Sequence, residues 1–434
     1  MPDDLYLNMK KLYLFLFVLS VPFQVLSVDF GDIRFTVTYL LVLVGGVVVL
    51  SLALLKPKNI KYTISNIDVY IFVYLLLIIF HILLSHNMSL SIRGVLGVLP
   101  VLGSYFIIRF LCVDKKSFRV VLTAFIVAGI ITSLEIYIQF FSFLLLGKEL
   151  SRDIIHLTGI PFGAQVYSSM GYAGGFIRAS GFFFSTNAVG SYLLLPLSFS
   201  IYQAYNNQGF YRFILIIASL FIGAAIFFTL SRNSIFALII FLSLFGLRHY
   251  WGNIKGLLNK KTILYLLCAG ILIYLMLFIT NTYTGLPLFI HIVFRSISNS
   301  SVIFYEHLYA ALVYTSSNFG FGTGMQNFDD WAINEGLVET WGSHSNFIYF
   351  LAETGIYGLM IQILIMLSVF QASQIRIDKS SADGKLMILM ISAFIALIFV
   401  GFVRTFYFVP HTFILVALIS NYRLYVTPMK KLVS

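Results

Sequence analysis

Charge is what this sequence has least of. Only 10% of its 434 residues are Asp, Glu, Lys or Arg, where a water-soluble domain carries roughly a quarter. That excludes an ordinary soluble protein. Cysteine is nearly absent: Cys112 and Cys268 are the full complement and both fall in apolar runs, so there is no disulfide framework and no metal-ligand spacing. The net charge of +11 is not gathered into a basic block with interleaved aromatics, which argues against a nucleic-acid partner. No small-x-small cleavage site follows Lys10 and Lys11, so the first apolar run reads as an uncleaved span rather than a signal peptide. Internal repeats and a separable soluble domain are missing as well. What is there is hydrocarbon: 59% of residues are apolar and the mean hydropathy is +0.94. The sequence reads as an all-α polytopic membrane protein, one integral domain over 1–434.

Apolar segments near the ~20 residues needed to cross a bilayer fall at 12–28, 35–55, 68–85, 93–112, 119–147 and 181–205. Others fall at 211–230, 233–250, 262–280, 346–370, 385–403 and 406–424. This predicts twelve spans, with a large outer loop, 281–345, between the ninth and tenth. With the N-terminus in the cytoplasm, 20 of the 28 basic residues, Arg109 among them, lie on the inner side. The positive-inside rule then places both termini in the cytoplasm. A straight helix over 211–250 would be about 60 Å long, twice the hydrocarbon thickness. It must break at Ser231-Arg232-Asn233. Within the outer loop, 288–297 reads as a short helix with His291 and Arg295 one turn apart. A second short helix, 303–313, carries an apolar stripe of Phe304, Leu308, Ala311 and Leu312. Gly-Phe-Gly-Thr-Gly at 320–324 reads as a flexible turn; without Lys-Ser/Thr it is not a phosphate loop. Gly355 and Gly358, one turn apart, predict a flat strip where another helix backbone approaches closely.

Eight basic residues remain outside: Arg34, Arg93, Lys148, Arg152, Arg178, Arg232, Arg295 and Arg404. Arginine at helix centre costs on the order of 2.5–3.5 kcal/mol and less near the interface, so a position that keeps one usually has a reason. Arg178, Arg232 and Arg295 suit bidentate binding of a pyrophosphate, or they are snorkelling anchors. Arg34, Arg93 and Arg404 read as anchors. His344, at the start of the tenth span, is either a proton acceptor at the membrane surface or the cap of an interfacial helix. Asp329, Asp330, Glu335 and Glu339 precede it. With Trp331 and Trp341 they suit sugar hydroxyls and ring faces, and equally a solvated surface. Glu353 is expected to make a buried hydrogen bond and Glu306 to orient an arginine. No carboxylate pair has a spacing that argues for glycoside hydrolysis.

Taken in order, five stretches resemble the O-antigen ligase and Wzy-type polymerase superfamily of bacterial envelope glycosyltransferases. They are Arg178-Ala-Ser-Gly-Phe with Thr186-Asn187, Thr229-Leu-Ser-Arg-Asn-Ser234, Arg295 with the helix after it, Gly320 to Gly324, and His344-Ser…Gly355-x-x-Gly358. The resemblance implies a GT-C-like fold and an inverting transfer that needs neither metal nor other cofactor. The reaction would run on the periplasmic face of the inner membrane, from a glycan on undecaprenyl pyrophosphate. It assigns Arg232 and Arg295 to the departing pyrophosphate and His344 to general-base catalysis. Arg178, Asn187, Ser231, His291, Glu306, Trp341, Ser345 and Asn346 are expected to contact substrate. The acidic stretch 329–339 and the few outer cations disfavour lipid A–core as acceptor. They favour a polymerase of O-antigen or capsule repeat units in lipopolysaccharide or polysaccharide biosynthesis, with a chain-length regulator as a candidate partner. A ligase to lipid A–core is the first alternative. A flippase for lipid-linked oligosaccharides is the second, although such transporters hold their charged sites near the midplane.

Overall fold

The computed structural model describes residues 3–24, 27–30, 33–55, 63–147, 172–173, 176–183, 185–250, 297–338, 345–373, 381–403 and 409–426. Helix α1 (Asp3–Ser20) leads through an antiparallel hairpin, β1 (Ser27–Phe30) and β2 (Ile33–Thr36), into α2 (Val37–Leu55). Then come α3 (Asn66–Leu84), α4 (Met88–Leu111) and α5 (Lys115–Leu146). A two-residue ladder, β3 (Tyr172–Ala173) with β4 (Phe176–Ile177), precedes α6 (Thr186–Asn206), α7 (Gly209–Phe228) and α8 (Arg232–Tyr250). Further on lie α9 (Ile297–Ser317), the short α10 (Phe328–Asn334), α11 (Asn346–Ser373), α12 (Ala382–Val403) and α13 (Pro410–Val426).

Local chemistry sets most of these boundaries. Ser65 and Asp68 form a reciprocal capping box that starts α3, and Asn87, Asp114 and Ser185 cap α4, α5 and α6, each satisfying amide donors a first turn leaves over. Gly147, in the left-handed region at φ 63°, ends α5. The first helix differs from expectation: it runs Asp3–Ser20 rather than 12–28, because Pro22 has no amide hydrogen to donate and its predecessor is pushed out of helical geometry. The predicted break between α7 and α8 is present, with Leu230 at φ 48° between them.

Among the described residues six helices are long and apolar enough to cross a membrane: α3, α4, α5, α7, α11 and α12. Apolar stretches of α2 and α8 are shorter, and α1, α6 and α13, which occupy three more of the predicted positions, are not among the six. The predicted span 262–280 lies outside the described residues. Outward faces carry bare hydrocarbon, such as Leu83 and Leu220, while inward faces pack around Tyr105, Phe125, Tyr192 and Phe199. Apolar side chains on both surfaces are consistent with a multi-pass helical membrane protein.

Contacts sort the helix ends into two sets. At one end Lys10 bridges to Asp114, Ser65 meets Ser420, and Arg109 meets Asn421. Partial burial works to raise the Asp114 carboxyl, but hydrogen bonds from Lys10 and Ser117 outweigh it and bring it down to about 2. The bridge therefore stays formed at any physiological pH. At the other end, called the loop end below, Phe23 packs on Phe182, Asn87 on Asn327, and Ser231 on Asn187.

Arg109, at the same end as Lys10, does not hold its charge at the surface. It is 1% exposed and makes a fork-to-fork pair with Asp68, Nε to Oδ1 at 2.9 Å and Nη2 to Oδ2 at 2.7 Å. Tyr105 donates to the same carboxylate at 2.6 Å, and Asn421 accepts from the guanidinium. Its charge is spent inside the bundle. Asp68→Ala would strand the guanidinium and should cost about 3–5 kcal/mol. In a thermal-unfolding double-mutant cycle, Asp68→Ala/Arg109→Met should lose clearly less than the sum of the single changes. Additive losses would contradict the pairing.

Candidate functional site

The stretch Thr229–Ser234 builds the corner between α7 and α8. Thr229 Oγ1 accepts the Ser231 amide at 3.2 Å, and Ser231 Oγ accepts both the amide (3.3 Å) and the hydroxyl (2.8 Å) of Ser234. Ser231 Oγ in turn donates to Asn187 Oδ1 on α6. Gly190, one turn along α6, faces Ser234 so closely that a Cβ there would strike its hydroxyl. Asn187 is 7% and Ser231 0% exposed. The two residues are thus brought together by one hydrogen bond, from the Ser231 hydroxyl to the Asn187 side-chain carbonyl. Their effect is to fix Arg232, the half-buried first residue of α8. A helix N-terminus presents orphan amides and a partial positive charge, so a guanidinium there makes a local environment suited to an anion.

Arg178 enters from the same end. The segment after it is clamped to α5 by Gln139, whose Oε1 accepts the amides of Ser180 (3.1 Å) and Gly181 (3.0 Å) and whose Nε2 donates to Gly181 O at 3.1 Å. Gly181 sits at φ 57° with Thr132 and Ile136 of α5 against it. Gln139 was missed by the sequence reading. A lone amide inside a 32-residue apolar helix was the available signal, since a polar side chain at membrane depth needs a partner.

The largest departure from expectation is in α11. Gly355 has φ 72° and ψ −169°, so the helix is broken there into a short arm, 346–354, and a long arm, 356–373. What approaches Gly355 is not another helix but the 320–324 stretch: a Cβ on Gly355 would strike Gly320 O and lie 2.8 Å from the Gly322 amide. Gly358, the other member of the predicted strip, faces its own Thr354, with the Leu77 side chain of α3 at 3.5 Å. Nor is 320–324 a loose turn. Thr323 donates to Ala352 O at 2.8 Å, Gly324 to Glu353 O at 3.0 Å, and Gly320 O accepts from Ile356 at 2.9 Å. The break frees carbonyls that no helical amide can reach, and the glycine-rich strap supplies the missing donors. Glu353 is 4% exposed beneath it.

The break folds the two arms toward each other. Asn346, Phe347 and Phe350 of the short arm line the same cleft as Gln362, Ile365 and Met366 of the long arm. In a straight helix Asn346 and Gln362 would be about 24 Å apart. The cleft has a volume of about 90 Å³ and is completed by Ser191 of α6, by Phe394 to Gly401 on α12, and by Val409 to Val416 at α13. Its wall is mainly hydrocarbon. Ser191, Asn346, Gln362 and Thr412 are its polar members.

Under the strap, α9, α10 and the short arm meet. Tyr349 donates to Asp329 Oδ2 at 2.6 Å, and the other oxygen of Asp329 is 3.9 Å from Nε2 of the fully buried His307. Trp331 packs edge-on against Tyr314 at 4.7 Å. Asp329 and Trp331 are therefore parts of the loop's own packing. Glu306 and Asp330 are half-buried and Glu335 is exposed. Among the described residues no three His, Cys, Asp or Glu side chains gather as metal ligands.

Of the predicted site residues, Asn187 and Ser231 touch, and Ser191, one turn from Asn187, shares the cleft with Asn346. Ser345 is buried at the head of the short arm. His291, Arg295, Trp341 and His344 lie outside the described residues, as does Glu339. Compared with protein-family models and with curated proteins, the sequence matches none.

Proposed function

We propose that the protein is an inverting glycosyltransferase that polymerises undecaprenyl-pyrophosphate-linked repeat units of O-antigen or capsule. In this reading it belongs to the bacterial inner membrane with twelve spans and a GT-C-like fold. Both termini are cytoplasmic and the loop end faces the periplasm. One observation carries the reading: three stretches far apart in sequence, at 186–191, 229–234 and 345–350, converge at one end of the bundle beside an apolar cleft. A lipid diphosphate donor asks for that combination, a cationic anchor at the interface and a greasy recess next to it. Arg232 and Arg295 take the pyrophosphate as negative charge builds on it, and His344 removes the proton from the acceptor hydroxyl.

A transport reading draws on one feature, the broken α11, because transporters bind substrate at the exposed ends of interrupted helices. Here the carbonyls of Ala352 and Glu353 are already taken by Thr323 and Gly324. The break is occupied by the protein itself, which favours a structural role for it.

The deciding experiment incubates the purified protein with a lipid-linked repeat unit, with and without lipid A–core. Elongation on the repeat unit alone supports polymerisation. Transfer seen only when lipid A–core is present identifies a ligase, and no glycosidic bond under either condition removes the transferase reading.

A further inference from the structure

The short arm of α11 is not aimed by helix continuity, since the helix is interrupted at Gly355. Its far end is held by the strap through Ala352 O and Glu353 O, so whatever fixes the strap fixes the arm. On the side away from α11 the strap rests on the hairpin between α3 and α4. There the Asn87 amide donates to Asn327 Oδ1 at 2.8 Å, Asn327 Nδ2 donates to Ser91 Oγ at 2.8 Å, and the His86 amide donates to Thr323 O at 3.0 Å. One side chain reaches the strap's centre. The Gly322 amide donates to Nε2 of His81 at 3.3 Å.

His81 is fully buried on α3, and its other nitrogen, Nδ1, lies 3.1 Å from Leu77 O. A carbonyl can only accept, so Nδ1 carries the proton and Nε2 presents a lone pair to Gly322. Bulk is excluded at this point: a Cβ on Gly322 would meet the backbone of Ala352 and Glu353. Phe321 lies between the imidazole (5.4 Å) and the Tyr357 ring (5.0 Å). Imidazole, strap and broken helix form one stack.

We propose that His81 is a positioning residue for the transfer reaction: as a neutral acceptor of the Gly322 amide it seats the strap in the α11 break and so aims the arm that carries Ser345 and Asn346 to the cleft. The proposal rests on the transferase reading for its turnover readout only. The arm's placement is measurable without any sugar. A Cβ built on Gly401 lies 3.8 Å from Asn346 Cβ, close to the ~3.8 Å typical of disulfides. Asn346→Cys/Gly401→Cys, in full-length protein with Cys112 and Cys268 replaced by alanine, should therefore cross-link under mild oxidation.

Adding His81→Phe, which keeps a ring but removes the acceptor, should slow that cross-link about tenfold or more, because ångström-scale misplacement is enough to lose reactive geometry. His81→Gln, which can offer an oxygen to the amide, should restore most of it. Elongation of an undecaprenyl-pyrophosphate-linked repeat unit, without the engineered cysteines, should fall about 10²-fold in His81→Phe at unchanged KM. It should recover in His81→Gln. Cross-linking that is unaffected by His81→Phe, or lost equally in both variants, overturns the proposal. So does loss of elongation with the cross-link intact. Absence of elongation in the parent protein would count against the transferase reading and leave the cross-linking result to decide the role of His81.

Discussion

Gly355→Ala is expected to release the strap and to destabilise the protein by roughly 3 kcal/mol or more. Two terms add. The backbone at φ 72°, ψ −169° is a conformation reserved for glycine, and holding another residue there costs about 1–3 kcal/mol. The new methyl would also strike Gly320 O and crowd the Gly322 amide, which are backbone atoms that cannot rotate away. The least costly escape is for the strap to leave, exposing the carbonyls of Ala352 and Glu353 and adding the cost of unpaired buried acceptors. Protease cleavage within 320–327 and a lowered thermal midpoint would report both effects. Gly358→Ala is the useful contrast, because its new methyl would crowd Thr354 on α11 itself and does not touch the strap. It can lower the thermal midpoint but should leave 320–327 protected. If Gly355→Ala melts like the parent and its strap resists protease, the break does not have the role assigned to it.

His344→Ala should reduce chain extension by about 10²–10⁴-fold, the usual contribution of a positioned general base, with expression and membrane insertion unchanged. The cleft beside Asn346 provides hydroxyls and amides, from Ser191, Gln362 and Thr412 besides Asn346 itself, and none of these accepts a proton near neutral pH. On the proposed transferase reading the base is therefore not among the described cleft residues, and His344 is two residues from Asn346 in sequence. Arg232→Lys should cost about 10²-fold by a different route: it keeps the charge and loses the planar fork. Glycan ladders read both. A ladder of parental length in His344→Ala would take that residue out of the mechanism, and one in Arg232→Lys would make Arg232 an ordinary interfacial anchor.

Much of the architecture could be read from hydropathy and length alone. Ten predicted segments reappear as helices within about five residues of their expected ends, from α2 to α8 and from α11 to α13. The α7–α8 corner followed from arithmetic, since forty apolar residues cannot cross thirty ångströms in one piece. Gly355 was misread for a physical reason. Close approach of another backbone and a positive φ both select glycine; at Gly355 both apply, and the sequence records neither the φ nor that the backbone approaching is a strap rather than a helix. The 320–324 strap was misread for a related reason. Alone it would be flexible, and only the broken helix beside it supplies acceptors for its amides. Asp68 and Arg109 stand 41 residues apart on helices that each look uniformly apolar, so their pairing had no local sign. The Asn187–Ser231 contact was foreseeable as proximity, but not as a hydrogen bond between the two side chains.

The Arg109 cluster also bears on how the protein is made. Asp68 and Arg109 reach one another as soon as α3 and α4 are both in place, so this hairpin is the smallest unit in which those two charges can enter a bilayer as a pair. The third partner, Asn421, follows Arg109 by 312 residues, about 15–60 s later at ordinary translation speeds. Until then one guanidinium arm and the carbonyls of Ile108 and Cys112 that Asn421 will cap lack their final partner. A helix made more than three hundred residues later is thus the one that seals the Asp68–Arg109 contact, and quality-control proteases would meet any copy stalled before it with that seam still open.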